Sequence, residues 1–235
     1  MSKESLPPGG KYIKSPAVRK ERGVLVLDVL QRIYPQLRPH LVSEDAWELL
    51  VATVLAAQCT DARVNTVTPE LFRRLPDVHA FAQVSQEELE GLIRSTGFYH
   101  NKAKNLIAAA KRVVEVYGGK VPDRMEDLVT LGGVARKTAN VVLWGSFGKN
   151  EGLAVDTHVA RISVRLGLCP HGSPEFIEKE LCAVLPRAEW GNYNHRMVSF
   201  GRDVCMARSP NCPDCPMLAF CPRLEPARVA KSRGK

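Results

Sequence analysis

The stretch LGGVARKTAN, residues 131–140, decides how this chain folds. It places two adjacent glycines, Gly132 and Gly133, between segments whose apolar residues recur at helical spacing, and so predicts a tight turn between two helices. We predict the second helix over residues 136–147. Its first N–H groups and its positive dipole end favour a phosphate, and glycine lets the backbone come close to such a ligand. A Gly-Gly pair is also a common helix C-cap, so the turn alone leaves phosphate binding open.

Helical patterns continue through the rest of the chain, and no stretch shows the period of two that is typical of a strand. Polar residues that favour helix starts predict where several helices begin: Ser43, Ser85, Asp156, Ser173 and Asn192. Gly118 and Gly119 are expected to end a long helix. The predicted fold class is therefore all-α.

The charge balance favours a polyanionic partner. The 235 residues include 33 Lys and Arg against 25 Asp and Glu, which gives a formal net charge of +8. Neutralising phosphates releases their counterions, although many basic proteins bind no nucleic acid. No apolar run approaches the roughly 20 residues of a membrane span, and residues 1–14 lack the apolar core of a signal peptide. We therefore expect a cytoplasmic protein without a membrane partner.

Four of the seven cysteines, Cys205, Cys212, Cys215 and Cys221, form a C-x6-C-x2-C-x5-C pattern. Four prolines in and beside this stretch oppose regular secondary structure, so we expect an inorganic centre to order it. In a reducing compartment, clustered thiols bind metal more often than they form disulfides. The spacing leaves a structural zinc site and an iron–sulfur cluster both open. The other three cysteines are expected to be small packed side chains.

Lys137 lies in the first turn of the helix that follows the Gly-Gly turn. A lysine acts as a nucleophile only when its amine is neutral, and both the positive helix end and the neighbouring Arg136 disfavour a cation there. We expect partial burial to act in the same direction. Without further context, an ordinary surface lysine on a basic helix would have the same sequence.

Asp156 follows Lys137 by 19 positions, in the segment VDTHV of residues 155–159. At the start of a predicted helix, its side chain suits an N-cap. A carboxylate there could also stabilise positive charge on a sugar as a glycosidic bond breaks, or hold or deprotonate an amine. The two roles coexist only if capping does not use the whole carboxylate.

Four motifs together resemble the endonuclease III branch of the helix–hairpin–helix DNA glycosylases. They are LGGVARKTAN at 131–140, VDTHV at 155–159, AAQCTD at 56–61 and the cysteine pattern at 205–221. The similarity runs from about residue 24 to residue 222, in the order of the family. It implies a six-helix domain over 39–149 that carries the hairpin, and a discontinuous cluster domain, 21–38 and 150–235, with a 4Fe–4S loop over 205–221. Residues 1–20 are expected to be a flexible basic tail.

The resemblance also implies a bifunctional DNA glycosylase and AP lyase of base excision repair. Lys137 would attack C1′ of a damaged nucleotide that has been flipped out of the duplex, with Asp156 assisting, and the resulting Schiff base would permit strand cleavage by β-elimination. The implied cofactor is a 4Fe–4S cluster. The implied partner is double-stranded DNA that contains a damaged base, such as an oxidised pyrimidine, or an abasic site, bound by a monomer.

The resemblance assigns DNA contacts to the turn (Gly132, Gly133, Ala135 and Arg136) and to two further residues. Gln58 matches the position that fills the gap left by the flipped base, and Phe98 falls where the family usually has an aliphatic wedge. Gln58 could instead cap a helix end, and Phe98 could pack on its own domain.

The turn departs from the family pattern twice, because Gly132 replaces its usual proline and Ala135 its usual second glycine. If residue 135 needs a positive φ, alanine costs about 1–2 kcal/mol there or changes the turn. We therefore expect Ala135→Gly to tighten DNA binding.

Two other functions stay open on the sequence. A monofunctional glycosylase, related to the adenine–mismatch enzymes, would have the same fold but would use water as the nucleophile and lack the lysine. A non-catalytic DNA-binding protein with a structural metal would need neither Lys137 nor Asp156.

Overall fold

The computed structural model describes residues 14–37 and 39–224, and these residues form eleven α-helices and two 3-10 turns without a strand. The predicted all-α class is confirmed. In chain order, the helices are α1 Pro16–Ile33, α2 Ala46–Leu55, α3 Asp61–Arg74, α4 Val78–Gln83, α5 Gln86–Ile93, α6 Tyr99–Tyr117, α7 Met125–Leu128, α8 Arg136–Phe147, α9 Thr157–Arg165, α10 Pro174–Val184 and α11 Trp190–Asp203. The 3-10 turns are Arg94–Thr96 and Arg187–Glu189. Among the described residues, none of the helices has the length and apolar composition that crossing a bilayer requires.

The chain divides into two compact units. The central unit is Arg38–Ala154, and the terminal unit combines Met1–Leu37 with Val155–Lys235. Helices α2 to α8 belong to the central unit, and α1 and α9 to α11 belong to the terminal unit.

Helix α2 is the centre of the central unit because it is apolar on nearly every side. Seven of its ten residues are buried, and a helix of this kind must be covered on all its faces. Helices α3, α6 and α8 pack against it, and α4 and α5 pack on α6. The fully buried side chains of this core include Leu50, Leu55, Phe81, Leu106 and Leu143.

The terminal unit brings the first helix against the last two. Helix α1 packs on α10 and α11, and α9 packs on α11. Arg19, on α1, donates to the carboxylate of Glu180 (2.6 Å) and to the carbonyl of Leu168 (3.2 Å). In the core of this unit, the hydroxyls of Ser163 and Tyr193 are hydrogen-bonded at 2.8 Å.

Several helix ends lie where their capping residues predicted them. The Ser85 hydroxyl accepts the N–H of Glu88 (3.2 Å) at the start of α5, and Ser173 does the same for Phe176 (3.3 Å) at α10. Gly118 adopts the left-handed conformation that ends α6, with φ of 60°. Helix α8 spans the predicted residues 136–147.

Two predicted helix starts are wrong. Asp45, rather than Ser43, caps α2, and its carboxylate accepts the N–H of Glu48 at 2.8 Å. Helix α11 begins at Trp190 rather than at Asn192. No element was predicted for the stretch that forms α3 and α4.

The predicted flexible tail over residues 1–20 is wrong from Pro16 onward, since α1 begins there. Proline suits the first position of a helix, where its missing N–H has no intrahelical partner to lose. That residue was the sequence signal for this start. Residues 1–13 lie outside the described part of the chain.

Candidate active site and cysteine centre

The turn between α7 and α8 is formed by backbone hydrogen bonds between residues three apart in sequence. Leu131 N donates to Leu128 O (3.0 Å), and Val134 N donates to Leu131 O (3.1 Å). Gly133 has φ of 75°, in a region that glycine adopts without steric cost. The chain thus enters α8 through the tight turn that its two glycines predicted.

Ala135 is the N-cap of α8, with φ of −88° and ψ of 170°. This extended backbone suits any residue, so the condition that we set for a strained alanine is not met. The expectation that Ala135→Gly tightens DNA binding therefore loses its physical reason. Because alanine has no side-chain acceptor, the first turn of α8 has no side-chain cap.

Lys137 is exposed in that first turn, beside the exposed Arg136. The predicted partial burial of Lys137 is wrong. Within the described part of the central unit, no hydrogen bond or ion pair ties the Lys137 amine to another residue. The amine is therefore open to a ligand that approaches the start of α8.

Asp156 is the N-cap of α9, as one of its two predicted roles requires. Its Oδ1 atom accepts the N–H of Val159 at 2.7 Å, and its side chain is half-buried. The other oxygen, Oδ2, makes no hydrogen bond to the described residues of the terminal unit. Capping thus uses only one of the two carboxylate oxygens.

The four clustered cysteines surround one cavity in the terminal unit. Cys205, Cys212, Cys215 and Cys221 all line this cavity of about 90 Å³, and all four are free thiols. Among the described residues, no three His, Cys, Asp or Glu side chains are spaced to hold one metal ion. The four thiols therefore face a common space.

Three arginines hold the cysteine loop by its backbone carbonyls. The donors and acceptors are Arg22 to Phe220 (2.8 Å), Arg161 to Cys205 (2.9 Å), and Arg165 to Met206 (2.8 Å) and Ala207 (3.0 Å). Arg165 also lies 3.4 Å from the sulfur of Cys205. Sequence reasoning missed these residues, although Arg161 and Arg165 are four apart on α9 and so share one helix face.

The cysteine thiols differ in how deeply they are buried, and burial changes their pKa. It raises the pKa of the Cys215 and Cys221 thiols, and it raises the pKa of the fully buried Cys169 thiol to about 12. Cys169 is a packed interior side chain, as predicted. Cys59 and Cys182 are half-buried.

Gln58 and Phe98 are exposed at the tips of two loops of the central unit. Gln58 follows α2 with φ of 55°, and Phe98 precedes α6 with φ of 50°. Left-handed conformations are uncommon for residues other than glycine, and they concentrate at functional sites. Phe98 is 60% exposed, so most of its surface is open to solvent.

Sequence and structure comparisons identify the family of the chain. The model of the HhH-GPD superfamily base excision DNA repair protein matches residues 51–187. Endonuclease III of Synechocystis sp. is 48% identical over 210 residues, which cover 89% of this chain and 96% of that protein. Endonuclease III of Bacillus subtilis is 45% identical over 196 residues, which cover 83% of this chain and 89% of that protein. The chain belongs to the endonuclease III family.

Solved structures agree with this assignment. A non-covalent endonuclease III–DNA complex matches with a TM-score of 0.82 at 45% identity, covering 86% of this chain and 94% of that one. A trapped endonuclease III–DNA covalent intermediate also matches with a TM-score of 0.82 at 45% identity, with coverages of 86% and 95%. The resemblance that the four motifs indicated is confirmed.

Membership of the endonuclease III family defines the class of reaction. The chain is a bifunctional DNA glycosylase and AP lyase of base excision repair. The monofunctional and the non-catalytic alternatives are therefore set aside.

The first departure from the endonuclease III hairpin has a packing reason. A Cβ atom on Gly132 would lie 2.5 Å from the carbonyl oxygen of Asn105 and 3.3 Å from the Cβ of Ala108, both on α6. Because the closest atom belongs to the main chain, any side chain at this position, proline included, requires the hairpin or α6 to move.

We predict that Gly132→Ala lowers the free energy of unfolding by about 1–3 kcal/mol, because it forces the hairpin away from α6. It should also weaken binding to duplex DNA. Gly91→Ala is the matched control, since a Cβ there meets nothing within 4 Å and alanine favours a helix by up to about 1 kcal/mol. Urea unfolding and DNA titration would measure both effects. Equal stability of the two variants would show that the hairpin is not constrained by α6.

Proposed function

We propose that Lys137 is the nucleophile and Asp156 the assisting carboxylate of this glycosylase and AP lyase. The observation that carries the proposal is the exposed amine of Lys137 in the first turn of α8. This helix follows the glycine turn directly, and its N-cap residue is Ala135. The substrate that we propose is double-stranded DNA with an oxidised pyrimidine or an abasic site.

The reaction is a nucleophilic substitution followed by an elimination. The neutral Lys137 amine forms a bond to C1′ as the glycosidic bond breaks, and the electron pair leaves with the base, which takes up a proton. Opening of the sugar ring produces a protonated Schiff base between Lys137 and C1′. Removal of a proton from C2′ then expels the 3′ phosphate, and the strand is cut.

The turn before α8 would position the DNA backbone. The N–H groups at the start of a helix, together with its positive dipole end, bind phosphate without reading sequence. Gly132, Gly133 and Ala135 would let the backbone approach a phosphate, and Arg136 would add an exposed positive charge. A phosphate held there would bring the DNA sugar–phosphate backbone close to Lys137, which lies in the first turn of α8.

Asp156 would stabilise the positive charge that develops on the sugar. One carboxylate oxygen fixes the start of α9, which holds the side chain in place, and the other can face a ligand. A negative charge held in place in advance stabilises an oxocarbenium-like transition state more than the uncharged substrate.

Gln58 and Phe98 would enter the duplex where the damaged nucleotide leaves it. The glycosidic carbon cannot be attacked inside a duplex, so the damaged nucleotide must flip out of the stack. Its departure leaves a gap between the neighbouring bases. Gln58 would fill this gap, and Phe98 would stack against a neighbouring base. The exposed left-handed tips that carry these two side chains support this assignment.

The four cysteines would hold a 4Fe–4S cluster. All four thiols line one cavity in the terminal unit, and their C-x6-C-x2-C-x5-C spacing resembles the cluster loop of the endonuclease III family. Four cysteine thiolates are the ligand set of a 4Fe–4S cluster. When bound, the cluster would cross-link residues 205–221 into one rigid loop.

We further propose that the enzyme acts as a monomer in the cytoplasm, where it meets chromosomal DNA. Its formal net charge of +8 favours association with a polyanion. The exposed Lys137, Gln58 and Phe98 belong to the same compact unit of one chain.

Borohydride reduction should trap the chain covalently on duplex DNA that contains an abasic site, because it reduces the Schiff base. Lys137→Ala should abolish the adduct. The matched control is Lys120→Ala, which removes another exposed lysine of the central unit and should trap normally. An adduct that persists in Lys137→Ala would assign the nucleophile to another amine.

Asp156→Asn should slow base excision by about 10²-fold and change DNA binding by less than about twofold. Asparagine caps helices as well as aspartate does, so the variant removes the charge and keeps the start of α9. Asp45→Asn makes the same change at the cap of α2 and should be neutral. Single-turnover excision and DNA titration separate the two effects, and an unchanged excision rate would leave Asp156 with capping alone.

Anaerobically purified protein should contain about four iron atoms and four sulfides per chain. Cys212→Ser should lose most of both, whereas Cys182→Ser, outside the cysteine pattern, should keep them. One zinc atom per chain without sulfide would contradict the proposed cluster.

A further inference from the structure

Lys102, in the first turns of α6, is a buried cation with two main-chain partners. Its residue is 5% exposed, and its Nζ atom donates to Leu55 O (2.7 Å) and to Thr96 O (2.9 Å). An ammonium group taken out of water is costly unless it is hydrogen-bonded. Burial lowers the pKa of Lys102, and the nearby Cys59 partly offsets this effect. A cation in such a place needs a reason beyond filling space, which an apolar side chain would do at lower cost.

The two carbonyls belong to the ends of two helical segments. Leu55 is the last residue of α2, where carbonyls lack an intrahelical partner and the helix dipole attracts a cation. Thr96 is the last residue of the 3-10 turn that precedes α6. Lys102 therefore joins two chain segments at the points where their regular structure stops.

Each of these carbonyls lies two or three residues before an exposed residue with positive φ. Gln58 follows Leu55 by three residues, and Phe98 follows Thr96 by two. Gln58 and Phe98 both have positive φ, as does Gly97 between Thr96 and Phe98. Backbone of this kind persists only where its surroundings impose it. The buried link of Lys102 is thus the common anchor of the two exposed tips.

We propose that Lys102 is a positioning residue for base flipping. By holding Leu55 and Thr96 at a set separation, it fixes the spacing between Gln58 and Phe98, so that both side chains enter the duplex together. The inference rests on the proposed function, in which these two residues insert into DNA. Lys102 itself touches neither DNA nor the reacting atoms.

A positioning role means that replacing Lys102 should slow some reactions of the enzyme and leave others unchanged. Reactions that require a nucleotide to leave a stacked duplex should suffer, because they use both tips. Formation of the Schiff base on an abasic site in single-stranded DNA should not suffer, because no base pair has to open. A residue that only supported the fold would affect both reactions equally.

The first experiment compares Lys102→Met with Lys111→Met, which removes an exposed positive charge from the same helix. Relative to the unaltered chain, Lys102→Met should excise an oxidised pyrimidine from duplex DNA roughly 10- to 100-fold more slowly, as expected for a misplaced group. Borohydride trapping on a single-stranded abasic site should stay within about twofold. Lys111→Met should be normal on both substrates.

A second experiment repeats the duplex measurement in a chain that already carries Gln58→Ala and Phe98→Ala. Residues that act through one another are non-additive, so Lys102→Met should now cost less than about twofold. An equal loss in both backgrounds would overturn the proposal, as would an equal loss on duplex and single-stranded substrates.

Lys102→Arg keeps a buried cation with several donors, and it replaces the methionine variant if that variant does not fold. Its wider head group changes the separation of the two carbonyls, so the same pattern is expected with a smaller loss. Normal duplex excision by every Lys102 variant would refute the positioning role of Lys102. It would leave the proposed nucleophile chemistry intact, because borohydride trapping would still proceed. Failure of the unaltered chain to form any adduct would instead refute the proposed nucleophile chemistry.

Discussion

The burial of helix α2 is the constraint on which the central unit depends. Seven of its ten residues are buried, and each large apolar side chain that is fully buried contributes about 1.5–3 kcal/mol. Helices α3, α6 and α8 must therefore cover it. Helix α8 turns Ala139, Val142 and Leu143 inward, which leaves Lys137 on the exposed side. The chain that leaves the far end of α2 carries Gln58. Packing around one apolar helix thus orients both the amine and one of the loop tips.

In the terminal unit, residues 205–221 have no regular secondary structure to pair their backbone groups. Their backbone carbonyls would be costly to bury without donors. Arg22, Arg161 and Arg165 supply those donors from α1 and α9. The loop is therefore held in shape by guanidinium groups that bind its carbonyls, and the four thiols line the cavity.

The hairpin shows how a family motif adapts to its neighbours. Gly132 lies against the backbone of α6, where a side chain has no room. Gly133 takes the positive φ of the turn, and Ala135 lies in ordinary extended backbone at the helix start. The second glycine of the usual pattern is therefore not needed for backbone conformation in this chain. Lys137 lies two residues after the cap, in the first turn of α8.

The sequence by itself determined the all-α class, the family and the features that depend on adjacent residues. The extent of α8, the caps at Ser85, Ser173 and Asp156, and the end of α6 at Gly118 all follow from local hydrogen bonds within a few residues. The same locality explains why the hairpin could be predicted from ten residues.

Only the tertiary structure decided the features that depend on distant partners. The exposure of Lys137 and the lack of room for a side chain at Gly132 result from how helices pack, which no local pattern records. Lys102 reaches a carbonyl 47 residues away, so its role could not be inferred from its neighbours in sequence. A buried cation between two loop ends exists only once α2 and α6 have come together.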